Sequence, residues 1–549
     1  MSALPSTPLA SPAPSPAAGA AAADGLPHRA ADSDIALSLV SHTNAGKTTL
    51  ARTLLREDVG EVRDAPHVTE FAEVRTMLAT PEGERLLLWD TPGFGDSVRL
   101  AKRLRQSSQP LGWFLSQVWD RWRDRPFWAS QQAMRNLRDE ADVMLYLVNA
   151  AESPEAAGYV APEMELLAWI GKPVIALLNQ LGPPGEPALE AADLARWRAH
   201  LGAHAAVRAV LPLDAFARCW VQEATLLGAV ESVLDGERRA RMGRLRAAWQ
   251  KRQLAVFDAA MRILAGGVAR VAIDAVALEE RDGFGAKLRG VGAKLGLGKD
   301  DDSPVARAQE ALARRLDDEA RADTQALIRL HGLEGSAEGK ILARLAAHYQ
   351  VRLRLDEGQA ALWGGVVSGA LVGLKADLLS GGLTLGGGLL AGGLLGALGS
   401  AGLARCVNLV RGTGSSWLSW NGEALDAVVE ATLLRYLAVA HFGRGRGDWA
   451  EGESPPHWKD VVATALGPHR ETLAQIWRGR PAPGADDGSA GGDGAADSRE
   501  PARAALQAAL EPVVRDATRA ALLELYPEAA DAWAPTARSS PLQAPSATR

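Results

Sequence analysis

The chain is poor in cysteine, in excess charge and in any leader-like start. Two cysteines, Cys219 and Cys406, serve 549 residues. They lie far apart without metal-type spacing. That excludes a disulfide scaffold and a cysteine zinc site, and fits buried thiols in a reducing compartment. The net charge of -6 argues against generic nucleic-acid binding, so no nucleic-acid partner is expected. Residues 1–32 are mostly Ala, Pro and Ser, with almost no charge before His28 and Arg29. A secretory signal needs a basic start and an apolar run. Neither is present, so this stretch reads as a disordered tail and the chain as cytoplasmic.

Apolar residues are plentiful: 47% hydrophobic against 23% charged, the balance of a globular protein with two or three domains. Arg480 to Arg503 is rich in Gly, Ala, Asp and Pro and reads as a linker. Beyond it, 504–535 reads as a C-terminal helix and 536–549 as a second tail.

One stretch organises the rest: Ser41-His42-Thr43-Asn44-Ala45-Gly46-Lys47-Thr48. A strand-like run, Ile35 to Val40, precedes it, and a helical pattern, Thr49 to Leu55, follows. Strand, tight turn and helix N-terminus are the context of a phosphate-binding loop. Backbone N–H groups and the positive end of the helix dipole converge there on phosphate oxygens. Lys47 would reach the β- and γ-phosphates and the Thr48 hydroxyl would bind Mg²⁺. Ser41 stands where the first glycine of the pattern belongs, so a strained turn is expected there.

Downstream, Asp64 to Glu70 is a Pro-bounded polar loop with Thr69 as the residue to close on Mg²⁺ and the γ-phosphate. Leu86 to Trp89 is a short buried strand ending in Asp90-Thr91-Pro92-Gly93. A carboxylate at a strand's carboxyl end can hold Mg²⁺ through water, and the glycine lets a backbone N–H approach the γ-phosphate. Further strands are read at Val143 to Val148 and Val174 to Leu178.

On these motifs the region 33–240 resembles the translation-factor-like class of small bacterial GTPases, closest to the Era and MnmE type. The resemblance implies a P-loop NTPase G domain, a mostly parallel α/β sheet with helices on both faces. It also implies GTP and GDP as ligands and hydrolysis of GTP with Mg²⁺. Lys47, Thr69 and Gly93 would be the catalytic set, and Thr48, Thr69 and Asp90 the metal set. Ser41, Asn44, Ala45, Gly46, Lys47, Thr48, Thr49 and Asp90 would line the nucleotide. The family's guanine-reading box, Asn-Lys-x-Asp, falls on Asn179-Gln180-Leu181-Gly182. Asn179 matches, Gln180 replaces the lysine, and Gly182 replaces the aspartate that reads the guanine edge. A weaker guanine preference is therefore expected; either the carboxylate is absent or Glu186, four residues on, swings in as a substitute. Asp214 and Ala215, after Leu213, fall on the family's short Ser-Ala box. The run Asp58 to Pro66 also resembles a bacterial set in which such a domain precedes a long domain of unknown function.

Phe94 occupies the place of the water-orienting glutamine in Ras-like enzymes and cannot orient water. Asn44 reads two ways: as a ligand for K⁺ beside the phosphates, as in part of the family, or as a stabiliser of the loop. An insertion, 104–136, carries Trp113, Phe114, Trp119, Trp122, Phe127 and Trp128 among Arg121, Arg123 and Arg125. It reads as a helical hairpin packed on the protein, or as a surface for a protein effector moved by nucleotide state.

Helical periodicity runs from Arg238 to Ala275, Val305 to Leu330 and Ile341 to Leu355, so 241–479 is expected to be mainly helical. Within it, 359–404 holds two uncharged runs with glycines at four-residue spacing: Gly365, Gly369, Gly373, then Gly388, Gly392, Gly396. Basic residues flank the pair, Arg352 and Arg354 before and Arg405 and Arg411 after. Two readings stand: a hairpin at the inner membrane, or a buried helix pair in a soluble domain. The function expected is a GTP-hydrolysing, nucleotide-dependent switch. The alternatives are a nucleotide-gated membrane or scaffolding module with incidental hydrolysis, and a less base-specific nucleoside triphosphatase.

Overall fold

The computed structural model describes residues 33–43, 45–55, 72–106, 112, 114–115, 124–179, 187–213, 219–278, 304–333, 407–411, 416–441, 457–483 and 499–533. Six strands form the first sheet: β1 (Asp34–Ser41), β2 (Glu73–Ala79), β3 (Arg85–Asp90), β4 (Val143–Asn149), β5 (Val174–Asn179) and β6 (Val207–Pro212). Their order is β2-β3-β1-β4-β5-β6, parallel except for β2, which pairs antiparallel with β3. Leu37 of β1 sits between Leu88 and Val143. The central strands are near-continuous apolar runs because both faces are covered.

Alternation along each strand sorts its side chains between two cores. Val143, Leu145 and Leu147 enter one; Met144, Tyr146 and Val148 enter the other. The second core lies under α2 (Ser97–Leu104), α3 (Arg125–Asp139), α4 (Val160–Ile170) and α5 (Pro187–Gly202). Phe114 and Phe127 from the aromatic insertion are buried in it. The first core lies under α1 (Lys47–Leu55), α6 (Trp220–Val233) and the 38-residue α7 (Gly236–Ile273).

That first core does not stop at the sheet. It continues through Trp220, Trp249 and Phe257 into the helical half. Trp533 packs edge-on against Trp220 at 5.0 Å and Phe257 at 4.9 Å. At the sheet end, Arg244 pairs with Glu84 at 2.6 Å and Arg238 with Asp142 at 3.0 Å. Both acids sit in turns at the end of the sheet away from the phosphate loop.

The helical half adds α8 (Pro304–Leu330), α9 (Gly422–Ala440), α10 (His457–Leu466), α11 (Arg470–Gly479) and α12 (Glu500–Leu525). The mainly helical expectation holds, with one addition. Short strands β7 (Ala275–Leu278), β8 (Val407–Arg411) and β9 (Ser416–Trp420) make an antiparallel sheet in the order β7-β9-β8. In α7, Gly267 leaves room for α8: a Cβ there would lie 1.7 Å from the buried Asp323 Oδ2. Asp323 accepts a hydrogen bond from Arg270 at 2.9 Å. The Gly-rich runs of 359–404 lie outside the described residues. Among the described residues, no helix is long and apolar enough to cross a membrane.

Candidate functional site

Parallel strands bring Ser41, Asp90 and Asn179 to one edge of the sheet, at the carboxyl ends of β1, β3 and β5. Ligands bind at such edges where the strand order reverses, here around β1. Gly46 turns the loop with φ of 87°, and α1 begins at Lys47. Ser41 does not carry the strain expected of it. It is the last residue of β1, extended and paired with Leu147. Its hydroxyl accepts from Lys47 Nζ at 2.9 Å and donates to the His42 carbonyl.

Lys47 is buried, and burial lowers its pKa against the pull of Asp90 and Glu163. Thr48 Oγ1 donates to Asp90 Oδ2 at 2.7 Å. Burial lifts the Asp90 carboxyl to about 6, opposed by the Thr48 hydrogen bond and the Lys47 charge. Asp90 Oδ1 is buried with no partner among the described residues. A hydroxyl bound to one carboxylate oxygen and a bare second oxygen form a donor set that suits a hard cation. Thr91 is buried and ties its strand end to Leu39 O at 2.6 Å. Gly93 lies where a Cβ would meet Lys47 Nζ at 3.0 Å and Thr43 Cα at 3.1 Å, so a side chain there would make the loop give way by a few tenths of an ångström. Phe94 N donates to Ser41 O at 2.8 Å while the ring is fully buried in the second core.

Asn179 is fully buried, and its amide donates to Ala45 O at 2.8 Å, across 134 residues of sequence. Ala45 and Thr49 are buried in the loop and its helix. Asn44, Thr69, Gln180, Gly182, Glu186, Asp214 and Ala215 lie outside the described residues.

Two features of the site went unread in the sequence. Glu163 of α4 is fully buried, 2.8 Å from His42 Nδ1, and accepts from the Tyr146 hydroxyl at 2.7 Å. The His42 ring stacks on Tyr159 at 4.6 Å. The signals were a histidine inside the loop, a tyrosine in the apolar run of β4 and a glutamate in a largely apolar helix. Gly95 packs against α3, where a Cβ would lie 2.4 Å from Pro126 Cβ, and its N–H donates to Ser130 Oγ at 3.2 Å. The segment after Gly93 is thereby fastened to the aromatic insertion's last helix.

Residues 36–180 match the family described as 50S ribosome-binding GTPase. Residues 201–510 match the family described as domain of unknown function DUF3482. Among solved structures, an Era variant from Aquifex aeolicus bound to GDP and AlF4⁻ is 19% identical, with 37% of this chain and 58% of that one covered and a TM-score of 0.27. Era in complex with MgGDPNP and a segment of 16S ribosomal RNA is 18% identical, with the same coverages and a TM-score of 0.29. A probable GTP-binding protein engB is 16% identical over 33% of this chain and 88% of its own, with a TM-score of 0.18. The chain spans 58% of the length of the two Era structures. No curated relative matches it.

Proposed function

Because the chain belongs to the DUF3482 family, with a bacterial GTPase domain preceding that domain, we propose that it binds GTP and hydrolyses it as a nucleotide-dependent switch. The observation that carries this reading is the closed constellation of Ser41, Lys47, Thr48 and Asp90 on one loop and strand end. Lys47 is already turned into the loop and neutralises β- and γ-phosphate charge. Thr48 and Asp90 would hold Mg²⁺, Asp90 through water, and Thr69 would join them. When bound, Mg²⁺ offsets charge shared by the β- and γ-phosphates. Gly93 brings its N–H to the γ-phosphate. No side chain is assigned as general base, since Phe94 is withdrawn into the core. Water placement then falls to the backbone and to a cation beside Asn44, for which K⁺ is the candidate.

Base recognition is the looser part. The Asn179 amide braces Ala45, so it orders the loop; reading the base is assigned to it by the family pattern alone. With Gly182 in place of an aspartate, guanine loses a charged acceptor worth about 1.5–3 kcal/mol per hydrogen bond. A preference of roughly ten- to a hundredfold for GTP over ATP is expected from the remaining contacts. Competition of GTP, ITP and ATP against a labelled guanine nucleotide tests this. ITP matching GTP confirms the lost carboxylate, and ATP matching GTP sinks the guanine assignment.

What supports the switch role is the core shared by the sheet and the helical half, through which a change at the nucleotide edge can reach the helices. An effector at the insertion and a membrane contact through 359–404 remain parts of this proposal. Single-turnover hydrolysis with and without liposomes separates a lipid-gated module from a free-standing switch.

A further inference from the structure

Burying a carboxylate costs several kcal/mol unless donors surround it. Glu163 is fully buried at the back of the phosphate loop, and two other elements contribute the donors: Tyr146 from β4 and His42 from the loop itself. Burial raises the Glu163 pKa, and His42 and Tyr146 oppose the rise. Besides His42, the groups facing this carboxylate are Ser97 at the start of α2, Lys47 from the loop end, Tyr146 from β4 and Tyr159 just before α4. An apolar side chain would fill the same space on α4 more cheaply. What the carboxylate adds is direction. It holds the Nδ1 side of the His42 ring at 2.8 Å, and the stacked Tyr159 ring sets the plane of the imidazole.

The backbone of His42 is itself tied down. It forms a parallel bridge with Phe94, and Phe94 N donates to Ser41 O at 2.8 Å. The next residue of the loop, Thr43, is the backbone against which Gly93 packs. A shift of His42 therefore carries with it both the first half of the loop and the segment Asp90 to Phe94.

We propose that His42 is a positioning residue for hydrolysis: anchored by Glu163, it sets the Gly93–Phe94 backbone against the bound triphosphate. This rests on the GTPase reading above. It gives His42 no contact with the reacting atoms. Its effect is expected on the rate of the chemical step more than on affinity. Lys47 and the α1 N-terminus, which would hold the phosphates, follow Gly46 in the chain, and among the described residues Lys47 meets His42 only through Ser41 Oγ.

The test uses the full chain with GTP and Mg²⁺. His42→Ala is expected to bind GTP within about threefold of the wild type while turnover falls about 10- to 100-fold, the scale of a small misplacement in a catalytic geometry. His42→Asn keeps a donor toward Glu163 and is expected to recover most of that loss. Glu163→Gln, which keeps the size of the side chain, is expected to slow turnover as well. The His42→Ala/Glu163→Gln double variant should lose less than the product of the two single losses, because the two share the His42–Glu163 bond. Turnover by His42→Ala equal to the wild type overturns the inference. So does a defect confined to affinity, or His42→Asn no better than His42→Ala. A wild-type chain that neither binds nor hydrolyses GTP overturns the GTPase reading itself, and this inference with it.

Discussion

Two aspartates, Asp90 half-buried in the nucleotide half and Asp323 buried in the helical half, show what each half is built for. Asp90 ends β3 beside the phosphate loop; Asp323 lies on α8 against α7. Burial lifts both carboxyls to about 6. Asp323 is met by the Arg270 guanidinium, which also bonds Glu319, and it fills the space left by Gly267. Asp90 is met by a hydroxyl, with one oxygen left bare among the described residues. An arginine closes a carboxylate with protein; a hydroxyl leaves it able to take a cation. Burial alone does not mark a functional acid. The chemistry of its neighbours does.

The largest effect expected is on the open side. Lys47→Ala should weaken GTP binding about 1,000-fold, roughly 4 kcal/mol, while the melting temperature holds. Fluorescent nucleotide titration checks it, and unchanged affinity would remove the loop from the site.

On the closed side, Gly267→Ala should destabilise the chain by about 3 kcal/mol. The new methyl must displace a carboxylate held in a buried pair, against only about 1 kcal/mol gained in helix propensity. Denaturant unfolding measures this, with GTP affinity expected to stay the same. The matching change on the open side, Gly93→Ala, should do the reverse. Turnover should drop about 10-fold or more as Lys47 and Thr43 are pushed back, with stability within about 1 kcal/mol of the wild type. Equal signatures for the two glycine variants would erase the distinction between the halves.

The smallest effect is with pH. Each aspartate has a folded pKa raised above its unfolded value. Its stabilising contribution is full below about 4 and is lost as pH rises through about 6. Metal-free protein should thus gain about 1 kcal/mol per aspartate between pH 7 and pH 5. Adding Mg²⁺ and GDP should cancel the share due to Asp90 and leave that of Asp323. A pH response indifferent to Mg²⁺ would count against Asp90 as a metal residue.

Much of the nucleotide half was legible because its signals are local. Unbroken apolar runs marked β1, β3, β4 and β5 to within a residue or two. The Gly-Lys-Thr turn and Asp-Thr-Pro-Gly announced themselves by spacing. His42 and Glu163 were not legible as a pair, since 121 residues separate them and neither belongs to a motif. The clasp of Gly95 on Pro126 was hidden for the same reason. The small sheet of the helical half escaped because its strands are four or five residues long, too short for alternation to register. Two of them also lie far along the chain from the third. Ser41 was misjudged for a different reason. The pattern names glycine at that position, but here the backbone is still strand and the side chain is used.

The core shared by sheet and helices has a consequence for how this protein is made. Gln250 donates to the carbonyl of Ala532, 282 residues later, at the edge of the aromatic cluster around Trp220 and Trp533. A ribosome adding about 5–20 residues per second needs tens of seconds to cover that stretch. For that interval the faces of α6 and α7 that α12 and Trp533 cover in the finished fold lack those partners. Synthesis of Trp533, long after the nucleotide domain is made, is the step that supplies the far wall of this shared aromatic cluster.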